Sequence, residues 1–218
     1  MARLPPPPPH VQLRSLVDED RDVHRVPPGQ TLYRVFTAGG SHSALWNTFR
    51  VHGPLPHARF DAHPGAPDGS VREALAEGAV YYSTSLLASM ATVYQSTSIV
   101  DRRTRSPFVV AFRPARTLRL LDLSGLWPVR AGTSLALSTG PTKVTQSWAR
   151  AIREACPHLD GLWYRTVMAP LDHSVCLWDP PAAPGLPDEP DLLLPLSDPR
   201  LDEPLTRICA ELNYTLLS

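Results

Sequence analysis

Residues 79–95 read AVYYSTSLLASMATVYQ, and the change of pattern within this stretch decides the fold. Residues 79–84 are rich in aromatic and β-branched side chains, which is typical of a strand. Ser85 follows at the position of a helix N-cap, and apolar residues then recur about every 3.6 positions as far as Tyr94. A strand that passes directly into a helix indicates a domain containing both kinds of element.

The segments on either side extend this mixed pattern. Further strands are predicted at 31–36, 108–112, 118–123, 162–164 and 174–178, and helices at 71–77, 145–155 and 201–212. Strands and helices do not alternate regularly along the chain. We therefore expect an α/β fold of the α+β type, in which a compact domain is built on a mixed sheet.

The two parts of the chain with the most irregular composition are the N-terminus and residues 37–70. Five consecutive prolines, Pro5 to Pro9, favour an extended helix without internal hydrogen bonds. We therefore predict a proline-rich tail over 1–28 and one domain over 29–218, with folded structure from Thr31. Residues 37–70 form a long stretch rich in Gly, His and Pro, and such stretches in compact domains are often functional loops.

Composition restricts the class of function. The chain has 21 basic and 21 acidic residues, so no basic face for direct binding of nucleic acid is expected. No apolar run is long enough for a membrane span, and we expect a cytoplasmic protein. The three cysteines show no spacing typical of a metal site, which favours buried free thiols. We predict no bound metal.

Several polar residues stand inside or directly after the apolar strands. Arg34 lies in the middle of a predicted strand, where a charge needs an anion or a polar partner. The alternative is an edge strand on which the guanidinium reaches water. Residues 81–85 place five hydroxyl groups at a strand end, and Thr92 and Gln95 lie one turn apart on the following helix.

These positions carry a family resemblance. The motifs LYR (32–34), ARFD (58–61), VYYS (80–83), LRLLDLSG (118–125) and DGLWYRT (160–166) occur in this order. The chain thereby resembles the RES domain family over roughly residues 31–180. The family is named for an Arg, a Glu and a Ser that are spread along the chain.

The resemblance implies a fold similar to that of ADP-ribosyltransferases and an activity that degrades NAD+, by hydrolysis or by phosphorolysis. NAD+ would be the substrate, and no cofactor is expected. The usual partner in the family is an Xre-like antitoxin that covers the active site. The oligomeric state stays open, and a homo-oligomer is one of the alternatives.

The family's residues are carried over by position. The family Arg corresponds to Arg34, a second nucleotide-contacting Arg to Arg59, and the family Tyr to Tyr81, with Tyr82 as the alternative register. The resemblance implies catalytic roles for Arg34, Tyr81, Thr92 and Thr166. It implies NAD+ contacts for Arg34, Arg59, Tyr81, Tyr82, Ser83, Gln95 and Thr166.

Two of the three name-giving residues differ in this chain. The family Glu is replaced by Thr92, and no acidic residue occurs between Glu77 and Asp101. The family Ser is replaced by Thr166, which keeps the hydroxyl. The alternatives to an active enzyme are a weakened or inactive homologue that binds NAD+ or ADP-ribose, and a protein ADP-ribosyltransferase. The stretch at 81–85 resembles the Ser-Thr-Ser motif of the transferases, but the chain lacks their Glu-x-Glu.

Overall fold

A computed structural model describes residues 4–40, 43–64, 72–73 and 77–217. The helices are α1 (His10–Ser15), α2 (Leu86–Tyr94), α3 (Trp127–Arg130), α4 (Thr142–Ala155) and α5 (Asp202–Leu212). The strands are β1 (Val23–Val26), β2 (Leu32–Thr37), β3 (His52–Gly53), β4 (Arg72–Glu73), β5 (Gly78–Ser83), β6 (Ile99–Asp101), β7 (Pro107–Phe112), β8 (Leu118–Asp122), β9 (Gly161–Thr166), β10 (Ala169–Asp179), β11 (Leu192–Pro195) and β12 (Thr215–Leu217).

Eight strands form one mixed sheet in the order β1-β8-β9-β10-β5-β2-β7-β11. The pair β8 and β9 is parallel, and the other pairs of this sheet are antiparallel. The predicted α/β class with a mixed sheet is therefore confirmed. Antiparallel neighbours do not need helical crossovers, which explains why helices and strands fail to alternate along the sequence.

The two faces of the sheet are covered differently. Residues alternate between faces along each strand, and the register places Leu162, Cys176, Tyr81 and Val35 on one side, the helix face. Helix α4 packs on this face through residues such as Trp148, while α2 and α5 pack farther along it. The opposite face carries a second core built from aromatic and aliphatic side chains of the strands.

The N-terminal segment is packed against the rest of the chain. Strand β1 pairs with β8 at one edge of the sheet, and Leu13 is only 1% exposed. The indole Nε1 of Trp148 donates to the carbonyl of Pro5 at 2.8 Å. The structure thus differs from the prediction that folded structure starts at Thr31. The composition of residues 4–26 alone does not reveal the partners on α4 and β8 that hold them.

The helix predicted at 71–77 is also wrong at the residues of it that form a strand in the structure. Arg72 and Glu73, inside the predicted helix at 71–77, form β4 and pair with β3. Backbone pairing with a distant segment has overridden a short local helical pattern. Residue 71 and residues 74–76 lie outside the described residues. Among the helices that the structure describes, none is long and apolar enough to cross a membrane.

Candidate active site

A group of polar side chains lies on the helix face, where β5, β10 and β9 run side by side. Ser83 pairs with Ser174, and Ser174 with Tyr164, so these residues share one side of the sheet. The residues of this group contributed by the strands are Tyr81, Ser83, Tyr164, Thr166, Ser174 and Cys176. We call this group, together with Arg59 and Asp61 from the preceding loop, the helix-face cluster.

Asp61 is the buried centre of the helix-face cluster. Its side chain is 0% exposed and accepts three hydrogen bonds. The Tyr81 hydroxyl donates to Oδ1 at 2.8 Å, the Arg50 guanidinium donates to the same oxygen at 2.5 Å, and the Leu55 amide donates to Oδ2 at 2.8 Å. Three donors compensate the desolvation of this carboxylate.

The hydrogen bond to Asp61 fixes the hydroxyl of Tyr81. Burial, followed by the nearby Cys176 and Asp61, raises the pKa of Tyr81 well above its ordinary value. The hydroxyl therefore stays protonated and acts as a donor to Asp61. The side chain of Tyr81 as a whole is half-buried.

Arg59 brings a positive charge to the same place. It is half-buried, and its Nη1 donates to the carbonyl of Gly140. Burial lowers the pKa of Arg59, while the neighbouring Tyr164 and Tyr81 hydroxyls oppose that shift. Within the described residues, Nε and Nη2 of Arg59 make no hydrogen bond. These two nitrogens are therefore available to an anionic ligand.

A row of hydroxyls continues the cluster along the sheet. The Oγ1 of Thr166 lies 2.7 Å from the Oγ of Ser174, which lies 3.3 Å from the Oγ of Ser83. All three side chains are buried. Because a hydroxyl both donates and accepts, the row can present either function to a sugar or an amide.

Arg34 and Tyr82 lie on the opposite face of the sheet. Nη1 of Arg34 donates to the carbonyls of Leu45 and Trp46 at 3.1 and 2.9 Å, and the guanidinium lies 5.5 Å from the ring of Phe36. The Tyr82 hydroxyl donates to the Trp46 carbonyl at 2.9 Å, and burial raises its pKa. Strand β2 has neighbours on both sides, so the edge-strand interpretation of Arg34 is wrong.

Thr92 is exposed on α2, and so is Gln95, the C-cap residue of this helix. The helix is capped as predicted, because Ser85 accepts a hydrogen bond from the amide of Ala88 at 3.0 Å. The buried side of α2 consists of Ala88, Ser89, Met90 and Ala91. The predicted site residues therefore fall in three places: Arg59, Tyr81, Ser83 and Thr166 together, Arg34 with Tyr82, and Thr92 with Gln95.

Sequence reasoning assigned no role in the site to the central carboxylate or to one of the aromatic residues. Asp61 belongs to the ARFD motif, yet only Arg59 was selected from it. Tyr164 belongs to the DGLWYRT motif and packs edge-on against Phe60 at 4.6 Å. A polar residue directly after a buried aromatic was the signal for Asp61, because such a residue needs internal partners.

Comparisons with known proteins add three findings. Residues 31–197 match the RES domain. The crystal structure of the M. tuberculosis MbcT-MbcA toxin-antitoxin complex contains a chain that is similar at 15% identity and a TM-score of 0.49, with 85% of this chain and 90% of that chain covered. No curated protein matches significantly.

Proposed function

The chain belongs to the RES domain family, and on this basis we propose that it degrades NAD+ by cleaving the bond between nicotinamide and ribose. The observation that carries the proposal is the helix-face cluster. Four residues that the resemblance implicates lie together on the helix face although they come from separate parts of the sequence: Arg59, Tyr81, Ser83 and Thr166.

Each part of the cluster suits one part of the dinucleotide. The Arg59 nitrogens that make no hydrogen bond with the described residues can pair with a diphosphate oxygen, and the half-buried Tyr81 can pack against a planar ring. The hydroxyl row of Thr166, Ser174 and Ser83 can bind ribose hydroxyls or the carboxamide.

Bond cleavage passes through a ribose with oxocarbenium character. Nicotinamide leaves as a neutral molecule, so no general acid is required. The protein then needs to orient the dinucleotide, exclude water and stabilise positive charge. Attack by water gives hydrolysis, whereas attack by inorganic phosphate gives phosphorolysis.

The missing family carboxylate predicts a slow enzyme. Thr92 supplies a hydroxyl without charge and is exposed. Asp61 is buried and already pairs with Arg50, so its charge is largely neutralised and does not replace the lost one. Loss of one electrostatic contact to a transition state costs on the order of 10²–10³ in rate.

The test is release of nicotinamide from NAD+ by the purified full chain, followed by NMR with and without inorganic phosphate. We expect release that falls strongly in Arg59→Ala and is retained in Arg103→Ala, a change at an exposed arginine. Acceleration by phosphate identifies a phosphorylase, and release without phosphate identifies a glycohydrolase. No release from micromolar protein over hours refutes the proposal.

The lack of a carboxylate at position 92 favours a second candidate, a homologue that binds NAD+ or ADP-ribose without turnover. Ligand binding to the folded state then raises the melting temperature while NAD+ stays intact. Thr92→Glu is expected to create or strongly raise activity. If Thr92→Glu has no effect while Arg59→Ala abolishes an existing activity, this second candidate fails.

The resemblance also supports a partner, an Xre-like antitoxin, and action in the cytoplasm. The turn between β9 and β10 follows Thr166 directly and exposes Val167 and Met168, and Leu171 near the start of β10 is 93% exposed. Exposed apolar groups beside a site are typical of a surface that another protein covers. Co-expression with a small helix-turn-helix protein encoded by a neighbouring gene tests the pairing. Light scattering of the isolated chain tests the alternative, a homo-oligomer.

A further inference from the structure

A cavity of about 260 Å³ lies between the C-terminal half of α4 and the loop after β10, and Ala62, the residue after Asp61, also lines it. The rings of Pro157, Pro180 and Pro181 form much of its wall. The wall is held in place, because the Arg116 guanidinium donates to the Pro181 carbonyl at 2.6 Å and pairs with Asp160. An apolar wall of fixed shape is a usual component of a small-molecule site.

Two arginines of α4 line this cavity with unused donors. Arg150 and Arg153 are three positions apart and therefore project from the same side of the helix. The Nε of Arg150 and the Nη1 of Arg153 are buried and have no hydrogen-bond acceptor in the described part of the chain. A buried N–H group without an acceptor is costly, and both groups would gain from an acceptor inside the cavity.

The two arginines differ in how far their charges are already compensated. Arg153 donates to the Asp179 carbonyl, and its Nη1, although it makes no hydrogen bond, lies 3.6 Å from a carboxylate oxygen of Glu77, which balances this charge. Arg150 makes no hydrogen bond or ion pair with the described residues, and Glu154, one turn away, instead lies 2.9 Å from His10. The positive charge of Arg150 is therefore the one that a ligand can balance.

The surroundings restrict the charge of that ligand. Glu77 and Glu154 also line the cavity, and both side chains are half-exposed. The nearby C-terminal end of α4 adds partial negative charge. An anion with two charges is repelled by these groups, whereas a single charge is balanced by Arg150.

We propose that this cavity binds a small aliphatic monocarboxylate. Its carboxylate accepts hydrogen bonds from Arg150 Nε and Arg153 Nη1, and its hydrocarbon chain lies on the three proline rings. The proposal does not depend on NAD+ cleavage, because neither arginine belongs to the helix-face cluster.

Butyrate is the probe, titrated into the ¹⁵N-labelled full chain while the backbone and arginine Nε–H signals are followed by NMR. We expect saturable shifts centred on Arg150 and Arg153. Arg150→Gln removes the charge, and since a hydrogen bond to a charged group contributes about 1.5–3 kcal/mol, affinity should fall at least about tenfold. Arg150→Lys keeps the charge without the planar donor pair and should retain part of the affinity.

Three controls make the outcome decisive. Arg103→Gln, at an exposed arginine without a side-chain partner among the described residues, should bind butyrate like the wild type. Butanol, which has the same chain without the carboxylate, and inorganic phosphate should both bind more weakly than butyrate. Unchanged affinity in folded Arg150→Gln, binding of butanol or phosphate as tight as that of butyrate, or no saturable shift overturns the proposal. Nicotinamide release should be the same in Arg150→Gln, which separates this test from that of NAD+ cleavage.

Discussion

Replacing Asp61 by Ala is the substitution whose effect follows most directly from the structure. The change removes a fully buried carboxylate and leaves the Arg50 guanidinium, which is 19% exposed, without its counter-ion. The Tyr81 hydroxyl and the Leu55 amide lose their acceptor at the same time. Breaking a buried ion pair by removing one partner costs about 3–5 kcal/mol. We therefore expect Asp61→Ala to lower the free energy of unfolding by about 4 kcal/mol.

Urea unfolding followed by tryptophan fluorescence measures this loss. With a slope of about 2 kcal/mol per molar urea, a loss of about 4 kcal/mol lowers the midpoint by about 2 M. Asp61→Asn keeps the shape and one acceptor oxygen, so its midpoint should lie between those of the wild type and the Ala variant.

Asp191→Ala is the matched control. Asp191 also pairs with an arginine, Arg113, but both side chains are largely exposed to water. Exposed ion pairs contribute little, so this variant should unfold like the wild type. A midpoint for Asp61→Ala within about 0.5 M of the wild-type value, or equal losses in Asp61→Ala and Asp191→Ala, would refute the reasoning.

Three further predictions concern packing, the tyrosine and pH. Gly161→Ala places a methyl group 1.9 Å from the Cys176 carbonyl oxygen and should abolish soluble expression, whereas Gly29→Ala meets no atom within 4 Å and should be neutral. Tyr81→Phe removes one of the three hydrogen-bond donors to Asp61, so it should lower the free energy of unfolding, measured by heat or urea, by about 1 kcal/mol. The KM of this variant for NAD+ should be unchanged. A large rise in KM would show that the hydroxyl contacts NAD+. Burial lowers the pKa of His24, His63 and His173 below 6.5, so these side chains bind protons at a higher pH in the unfolded chain than in the folded chain. The free energy of unfolding should therefore have its full value above pH 6.5 and fall as the pH decreases below it. Melting temperatures that stay constant between pH 7.5 and 5.5 would contradict this.

The sequence predicted local strands and helices better than the pairing between distant segments of the chain. The strand and helix at 79–95 appear as β5 and α2 with the predicted cap, because alternation and helical periodicity are local properties. The N-terminal strand β1 was not predicted, since only its pairing with β8 makes it a strand. The predicted helix at 71–77 failed at Arg72 and Glu73 for a similar reason.

The candidate site likewise contains residues that the sequence was sufficient to predict and residues for which the structure was needed. The RES motifs were sufficient to select Arg59, Tyr81, Ser83 and Thr166, which the structure brings to one face. They were not sufficient to place Arg34, whose partners are carbonyls of a loop 11 and 12 residues farther along the chain. They also did not indicate that Asp61 is the acceptor for Tyr81, 20 residues away.

By itself, the sequence determined the family and the mixed α/β class, because both follow from the order and type of residues. Only the tertiary structure decided which of two adjacent tyrosines belongs to the cluster. Neighbouring residues of a strand point to opposite faces, and which face meets Asp61 and Arg59 depends on how β5 pairs with β2 and β10.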